Sequence, residues 1–162
     1  MEDLAQPVTP KVEAPRGMHN GKLDEKGRIK LPAQFQAFLE TFTEGKYFVT
    51  STDRMTAQIY PMSVWREQEA KLTSGEIPPK IAKEVLFTAN DLGNDQTMDS
   101  QGRITFNSEL RAELEMDDQP LRLYSELGHI QILTKTVYEA QKQASKANAV
   151  SNRELAEGYG LK

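Results

Sequence analysis

The chain has 162 residues, a formal net charge of −4, no cysteine and a hydrophobic content of 38%. This length fits one domain or two small ones that share a core, and the lack of cysteine excludes disulfides and thiolate chemistry. The negative charge argues against a protein that coats nucleic acid with its whole surface.

The N-terminal residues 1–15 show no hydrophobic period and contain Pro7 and Pro10, which predicts a disordered tail. The first three residues include two acids and lack the apolar segment of a signal peptide. No apolar run approaches the roughly 18 residues of a spanning helix. We therefore expect a cytoplasmic protein without a membrane segment, ordered from Arg16 onward.

Two similar stretches, LDEKGRIKLP at residues 23–32 and MDSQGRITFN at residues 98–107, organise the sequence. Both contain Asp-x-x-Gly-Arg-Ile, and each position recurs at an offset of 75 residues: Asp24, Gly27, Arg28 and Ile29, then Asp99, Gly102, Arg103 and Ile104. Glycine supplies the positive φ of a tight turn, and aspartate bonds the turn backbone. Each copy therefore predicts a hairpin, and the pair indicates a duplicated unit.

The first copy is followed by Pro32, which is expected to be the first residue of a helix with Phe35, Phe38 and Leu39 on one face. Residues 46–51 and 57–60 predict a second hairpin. Pro61 ends that hairpin, and two helices follow, the first capped by Ser63.

The second of these helices is expected to turn Ile81, Val85 and Ala82 inward. After the second copy, Asn107 or Ser108 is expected to cap a helix. Residues 121–124 and 129–134 predict another hairpin, and Thr136 with Glu139 has the spacing of a capping box. Residues 148–162 are expected to form a tail or a frayed helix.

This order predicts an α+β fold, mostly β with short helices. Residues 16–90 are the first unit with its helical pair, and residues 91–147 are the second unit. The two tails are residues 1–15 and 148–162.

A cluster of basic residues surrounds the first copy: Arg16, Lys22, Lys26, Arg28 and Lys30. Such a cluster on a hairpin fits a phosphate-contacting surface, and an arginine fork can read guanine edges. Two plainer interpretations stay open. The cluster can be a solvated basic face, and each Asp–Arg pair can simply pin its turn.

Enzymatic interpretations have less support. His19 and His129 are the only histidines and lack the spacing of metal ligands. No nucleophile elbow or glycine-rich phosphate loop is present. Asp24 and Asp99 can be imagined as paired catalytic carboxylates, but an arginine four residues on favours the ionised form of each. We expect no enzyme activity, metal or cofactor.

The chain resembles the MraZ family, which is built from two SpoVT/AbrB-type units. The resemblance covers residues 16–138. The stretches that carry it are Arg16-Gly17, LDEKGRIKLP, IYPMSVW at residues 59–65, LFTAN at residues 86–90 and the second MDSQGRI.

This resemblance implies a double swapped-hairpin β-barrel formed by the two repeats and a homo-oligomeric ring. It implies binding to repeated double-stranded promoter elements in the nucleoid, and repression of the protein's own division and cell-wall gene cluster. By position, Arg28 and Arg103 are the motif arginines that contact DNA, and Asp24, Gly27, Asp99 and Gly102 shape the turns.

The second copy differs from the first in its charge. Residues 98–118 contain Arg103 and Arg111 against six acids. We therefore hypothesise that the first motif binds DNA while the second serves packing and assembly. The alternative is an assembly protein of the same fold that has lost DNA binding.

Overall fold

The structure is a computed structural model that describes residues 12–162. The predicted tail, residues 1–15, therefore lies largely outside the described residues. Within residues 12–162 the chain forms five helices: α1 (Ala33–Glu40), α2 (Met62–Thr73), α3 (Pro79–Leu92), α4 (Ser108–Leu114) and α5 (Lys135–Glu157). The same described residues form eight strands: β1 (His19–Gly21), β2 (Arg28–Lys30), β3 (Tyr47–Thr50), β4 (Ala57–Pro61), β5 (Asn94–Gln96), β6 (Arg103–Thr105), β7 (Leu121–Glu126) and β8 (His129–Thr134).

The described strands form an antiparallel six-stranded sheet, in the order β1-β7-β8-β4-β3-β5, and a separate antiparallel ribbon of β2 and β6. The α+β class is confirmed, but helices hold more residues than strands, contrary to the mostly-β expectation. No closed barrel forms among the described strands. In the described part of the chain, β2 and β6 form a ladder with each other and not with the sheet, so the ribbon covers the sheet through side-chain packing.

The sheet exchanges strands between the two repeats. β1 of the first repeat pairs with β7 of the second, and β5 of the second repeat pairs with β3 of the first. The centre of the sheet joins β4 to β8, with Gln58 opposite Gln131. The strand order is therefore symmetric about the β4–β8 pair, as a duplicated unit requires.

The predicted hairpin around the first motif is wrong in its pairing. Between β1 and β2 the turn is present, but only one bridge, between Leu23 and Ile29, links its two flanks. β1 pairs with β7 and β2 pairs with β6 instead. The hairpin predicted around the second motif is wrong in the same way, because β5 pairs with β3 and β6 pairs with β2. Strand register follows the buried face, and here the apolar partners come from the other repeat.

The two hairpins predicted by β-rich residues are confirmed. β3 pairs with β4, and β7 pairs with β8 around a turn in which Gly128 has φ 88°.

The main core lies between the sheet and a layer made of the ribbon, α1 and α4. Ile29 and Ile104 of the ribbon are fully buried there, with Leu110 of α4. The expected inward face of α1 is confirmed, since its buried residues are Phe35, Phe38 and Leu39. A second, smaller cluster packs α2 and α3 on the opposite face of the sheet; its members are Phe48, Tyr60, Trp65 and Ala89.

Helix boundaries differ from several expectations. Asn107 caps α4 as predicted, accepting a hydrogen bond from Leu110 N at 2.7 Å. Pro32 and Pro61 are N-cap residues, so α1 begins one residue later than predicted and Ser63 is not the cap of α2. Thr134, not Thr136, caps α5. Proline at these junctions has an extended backbone that precedes the first helical turn.

The outer helices bury less than their patterns predict. Ile81 is 54% exposed and Val85 is half-buried, while Ala82, as expected, and Ala89 are buried. Helix α5 continues to Glu157, through much of the segment expected to be a tail or a frayed helix, and none of its residues is buried. The buried face of each helix depends on where it packs against other elements, because the side of a helix that contacts a neighbouring element is the side that is buried.

Candidate nucleic-acid interface

The first motif is a tight turn closed by the Asp24 carboxylate. One oxygen of that carboxylate accepts hydrogen bonds from the backbone N–H groups of Lys26 and Arg28, both at 2.9 Å. The other accepts from Arg28 Nε at 2.8 Å. Gly27 N donates to Asp24 O at 3.0 Å, and Gly27 has φ 76°. This left-handed backbone explains the glycine.

The second motif repeats this geometry. Asp99 accepts from the N–H groups of Gln101 and Arg103, both at 2.9 Å, and from Arg103 Nε at 2.7 Å. Gly102 has φ 75°. Both copies therefore show the contacts that a turn pinned by an Asp–Arg pair requires.

The same contacts set the ionisation of the two carboxyl groups. The backbone N–H of Arg28 lowers the pKa of Asp24 below its usual value, and the Arg28 side chain lowers it further. The backbone N–H and side chain of Arg103 have the same effect on the pKa of Asp99. A lowered pKa is opposite to what a general acid near neutral pH requires, so the catalytic interpretation loses its chemical basis.

The ribbon brings the two motifs together. Ile29 lies opposite Ile104, and both are fully buried. Because alternate residues of a strand point to opposite faces, the neighbouring pairs lie on the outer face; they are Arg28 with Thr105 and Lys30 with Arg103. Both motif arginines and Lys30 therefore share one outer face of the ribbon.

The pinned arginines remain partly accessible. The side chains of Arg28 and Arg103 are 26% and 24% exposed. Each uses Nε to bind its aspartate, and their terminal nitrogens make no hydrogen bond within residues 12–162. A guanidinium held by one edge keeps its other donors for a further acceptor.

The other predicted contact residues lie in different places. Lys30 and Lys26 are exposed, on the ribbon and on the tip of the first turn. Lys22 is exposed beside a cleft that Asp117 and Asp118 also line. Arg16 is exposed, pairs with Glu13 at 3.1 Å, and lines a cleft with Ser125 and Gly128 of the β7–β8 hairpin. The structure thus gathers Arg28, Lys30 and Arg103, but not Arg16.

Several acids of the second repeat are paired with arginines. Glu113 binds Arg54 at 3.1 Å, and Asp117 binds Arg111 at 3.1 Å. Arg54 also binds Asp91 at 3.0 Å. These pairs offset part of the acidic charge that motivated the asymmetric hypothesis.

The two histidines do not form a site. His129 is buried and stacks on Tyr60 with the ring centroids 4.5 Å apart, and burial lowers its pKa. His19 is half-buried and packs edge-on against Phe35. Residues 12–162 contain no group of three or more potential metal ligands.

Similarity to known proteins decides the family. The chain is 36% identical over 102 residues to the transcriptional regulator MraZ of Koribacter versatilis, covering 69% of that protein and 62% of this chain. It is 29% identical over 146 residues to the transcriptional regulator MraZ of Acidobacterium capsulatum, covering 99% of that protein and 90% of this chain. The chain belongs to the MraZ family.

Membership in the MraZ family confirms the resemblance noted in the sequence. A third MraZ relative, from Nitrosomonas europaea, is 36% identical over 98 residues, which is 59% of this chain and 65% of that protein. No family model matches the chain. The MraZ relatives are named as transcriptional regulators, not as enzymes. In residues 12–162, none of the helices combines the length and apolar character needed to cross a bilayer.

Two residues at this MraZ site were missed by the sequence analysis. Arg111 of α4 lies against Gly27, and Gln36 of α1 lies against Gly102. They are 75 residues apart, the same offset as the two motifs. Extending the repeat alignment into the helices would have paired them, but only the fold shows that each reaches the opposite turn.

Proposed function

We propose that this chain is a sequence-specific DNA-binding transcriptional regulator that acts as a ring-shaped homo-oligomer on tandem promoter repeats. The observation that carries the proposal is the ribbon, which presents Arg28, Lys30 and Arg103 on one outer face. We further propose that it represses its own division and cell-wall gene cluster, as a nucleoid-associated cytoplasmic protein without a cofactor.

A two-stranded ribbon is a form that can enter duplex DNA. The major groove admits a two-stranded β-ribbon, and its guanine edges accept both donors of an arginine fork. Asp24 and Asp99 hold the Nε edge of each fork, which orients the guanidinium before DNA arrives. In this role Arg28 and Arg103 contact bases, while Lys22, Lys26 and Lys30 contact phosphates.

Multiple copies compensate for a small contact surface. A single ribbon with a few cations should bind DNA in the non-specific range of about 10⁻⁴ to 10⁻⁶ M at physiological salt. In a ring, later contacts become intramolecular, which adds roughly 10² to 10⁴ in affinity. The net charge of −4 then discourages binding by the remaining surface.

The strand exchange supports the fold proposed for the family, a double swapped-hairpin. Within the shared sheet, the first strand of each repeat pairs with a strand of the other repeat. The proposed units, residues 16–90 and 91–147, would therefore be one cooperative body, since each lacks an edge partner without the other.

The test is binding to the DNA upstream of the protein's own gene, measured by fluorescence anisotropy over a salt series. We expect wild-type binding with a steep salt dependence and at least a tenfold loss in Arg28→Ala, close to the lower end of about 1–3 kcal/mol for one bidentate base contact. Light scattering should show an unchanged oligomer in the variant. If Arg28→Ala binds this DNA with unchanged affinity, the ribbon is not the element that recognises the DNA sequence.

A second candidate is an assembly protein of the same fold without DNA binding. It is favoured by the exposed apolar side chains on and after α5: Val150, Leu155, Tyr159 and Leu161. Such residues are typical of an interaction surface. This candidate requires a stable oligomer that binds no upstream DNA even at low salt, so the same titration separates the two.

A further inference from the structure

Each motif glycine is covered by a side chain from the other repeat. A Cβ at Gly27 would lie 2.5 Å from Arg111 Nε and 2.8 Å from Arg111 Cζ. A Cβ at Gly102 would overlap the carboxamide of Gln36. A Cβ at either position would push the end of the covering side chain aside, while the positive φ by itself already favours glycine.

Both covering side chains are tethered in the same way. Arg111 Nε donates to Phe106 O at 3.1 Å, and Gln36 Nε2 donates to Leu31 O at 2.7 Å. Phe106 and Leu31 are themselves equivalent by the offset of 75 residues. Each side chain is therefore bound to its own repeat while it lies over the turn of the other.

Backbone hydrogen bonds also join the two repeats at these residues. Phe106 N donates to Gly27 O at 2.8 Å, and Leu31 N donates to Gly102 O at 3.0 Å. The residue that holds each covering side chain thus also holds the glycine beneath it. Arg28 follows Gly27 directly, so a displaced turn moves the arginine.

We propose that Arg111 and Gln36 are positioning residues: Arg111 holds the Gly27 turn and thereby orients Arg28, and Gln36 does the same for Arg103. The proposal rests on the proposed function, since the orientation matters there for contact with DNA. It assigns a role to two residues outside both motifs.

The chemistry at Arg111 favours positioning over direct contact with DNA. Its Nε is used by Phe106 O, and its Nη1 is shared between both oxygens of Asp117 at 3.1 Å. The Asp117 carboxylate offsets its charge. Moreover, Gln36 makes the equivalent contact without any charge, so the role requires a planar donor and not a cation.

Hydrogen exchange of the intact oligomer, read by mass spectrometry, tests the positioning. Asp24 holds the amides of Lys26 and Arg28, and Asp99 holds the equivalent amides of the second turn. We expect Arg111→Ala to raise exchange in residues 22–30 by about tenfold, with residues 97–105 unchanged, since local opening carries its own free energy. Gln36→Ala should show the reverse pattern, and Arg111→Gln should resemble the wild type.

Two outcomes overturn the proposal. Exchange that is unchanged at both turns shows that the covering side chains hold nothing. An equal rise at both turns shows general destabilisation. If Arg111→Ala does not fold, Gln36→Ala gives the same comparison, because it removes a side chain without an ion pair.

Binding to upstream DNA separates positioning from contact. We expect Arg111→Ala to lose about tenfold in affinity, or about 1.4 kcal/mol, and Arg111→Gln to stay within about threefold with an unchanged salt slope. If Arg111→Gln binds as weakly as Arg111→Ala and its salt slope falls, Arg111 contacts phosphate and the proposal is wrong. If wild-type protein binds no upstream DNA, the proposed function fails, and the exchange pattern still decides whether these residues position the turns.

Discussion

The two motif turns share a backbone but not their surroundings. In both, an aspartate accepts two backbone hydrogen bonds and one from an arginine Nε. The first motif carries Lys22, Lys26 and Lys30, and the equivalent positions of the second are the uncharged Thr97, Gln101 and Thr105. The turn geometry thus depends on Asp, Gly and Arg, while the charge around it is free to change.

Strand pairing in the ribbon reduces this difference in charge between the two motifs. Lys30 belongs to the first motif, but its cross-strand partner is Arg103 of the second. Charge that is uneven along the sequence is therefore shared across one surface. The hypothesis that only the first motif binds DNA stays a prediction, and the following variants separate it from a symmetric ribbon.

The largest effect is expected at the motif glycines. Gly27→Ala and Gly102→Ala combine the cost of a left-handed backbone, about 1–3 kcal/mol, with overlap against Arg111 or Gln36. Gly45→Ala is the matched control, because Gly45 has φ 65° and no atom within 4 Å of the added Cβ. Chemical denaturation should rank both motif variants below the control by about 1 kcal/mol or more. Equal losses of stability in all three variants would show that the covering side chains move aside at no cost.

The next effect is on DNA affinity. A symmetric ribbon predicts that Arg28→Ala and Arg103→Ala each weaken binding by about ten- to hundredfold, the range for one bidentate base contact. Arg153→Ala is the control, since Arg153 lies on α5 and pairs with Glu157. Anisotropy titrations decide between the models. An Arg103→Ala variant with wild-type affinity would support the asymmetric hypothesis.

A smaller effect is expected from the acids of the second repeat. Glu109 is exposed on the first turn of α4. Glu109→Lys should raise DNA affinity by about two- to fivefold at low salt, and the gain should fade as salt increases. Glu139→Lys changes the charge equally on another helix, α5. The same gain in both variants would mean that net charge, and not the position of Glu109, is responsible.

The smallest effect concerns pH. Because the pKa values of Asp24 and Asp99 are lowered in the folded state, both carboxylates stabilise the fold above their usual value of 3.8. This stabilisation is lost as the pH falls below that value and through the lowered folded-state pKa. Asp24→Asn and Asp99→Asn should each flatten the stability curve in this acid range, by similar amounts, in urea titrations. A flattening in only one variant would show that the turns are not equivalent.

Local chemistry made part of this site predictable. Asp24, Gly27 and Arg28 predicted the turn, because the carboxylate and the positive φ act within five residues. The buried face of α1 and the β7–β8 hairpin were predictable for the same reason, since their spacing follows helix and strand periods. The pairing of β1 and β2 was not, because their partners lie in the other repeat.

The inward face of α3 was predictable only in part. Ile81 and Val85 fit an apolar period but are not buried, whereas Ala82 is buried as expected, together with Ala89 and Leu92. A hydrophobic period alone does not distinguish which of two neighbouring stripes of a helix meets the rest of the fold. Gln36 and Arg111 were missed because no local pattern links a helix residue to a distant glycine.

By itself, the sequence determined that this protein is a duplicated unit with two Asp-x-x-Gly-Arg-Ile turns and that it resembles the MraZ family. Those conclusions depend on contacts between residues close in the chain, where geometry follows from residue type. Only the tertiary structure decided that the repeats exchange strands, that Arg28 and Arg103 share one ribbon face, and that Arg111 and Gln36 cover the opposite turns. These depend on which apolar surfaces bury one another, a choice made by the whole chain at once.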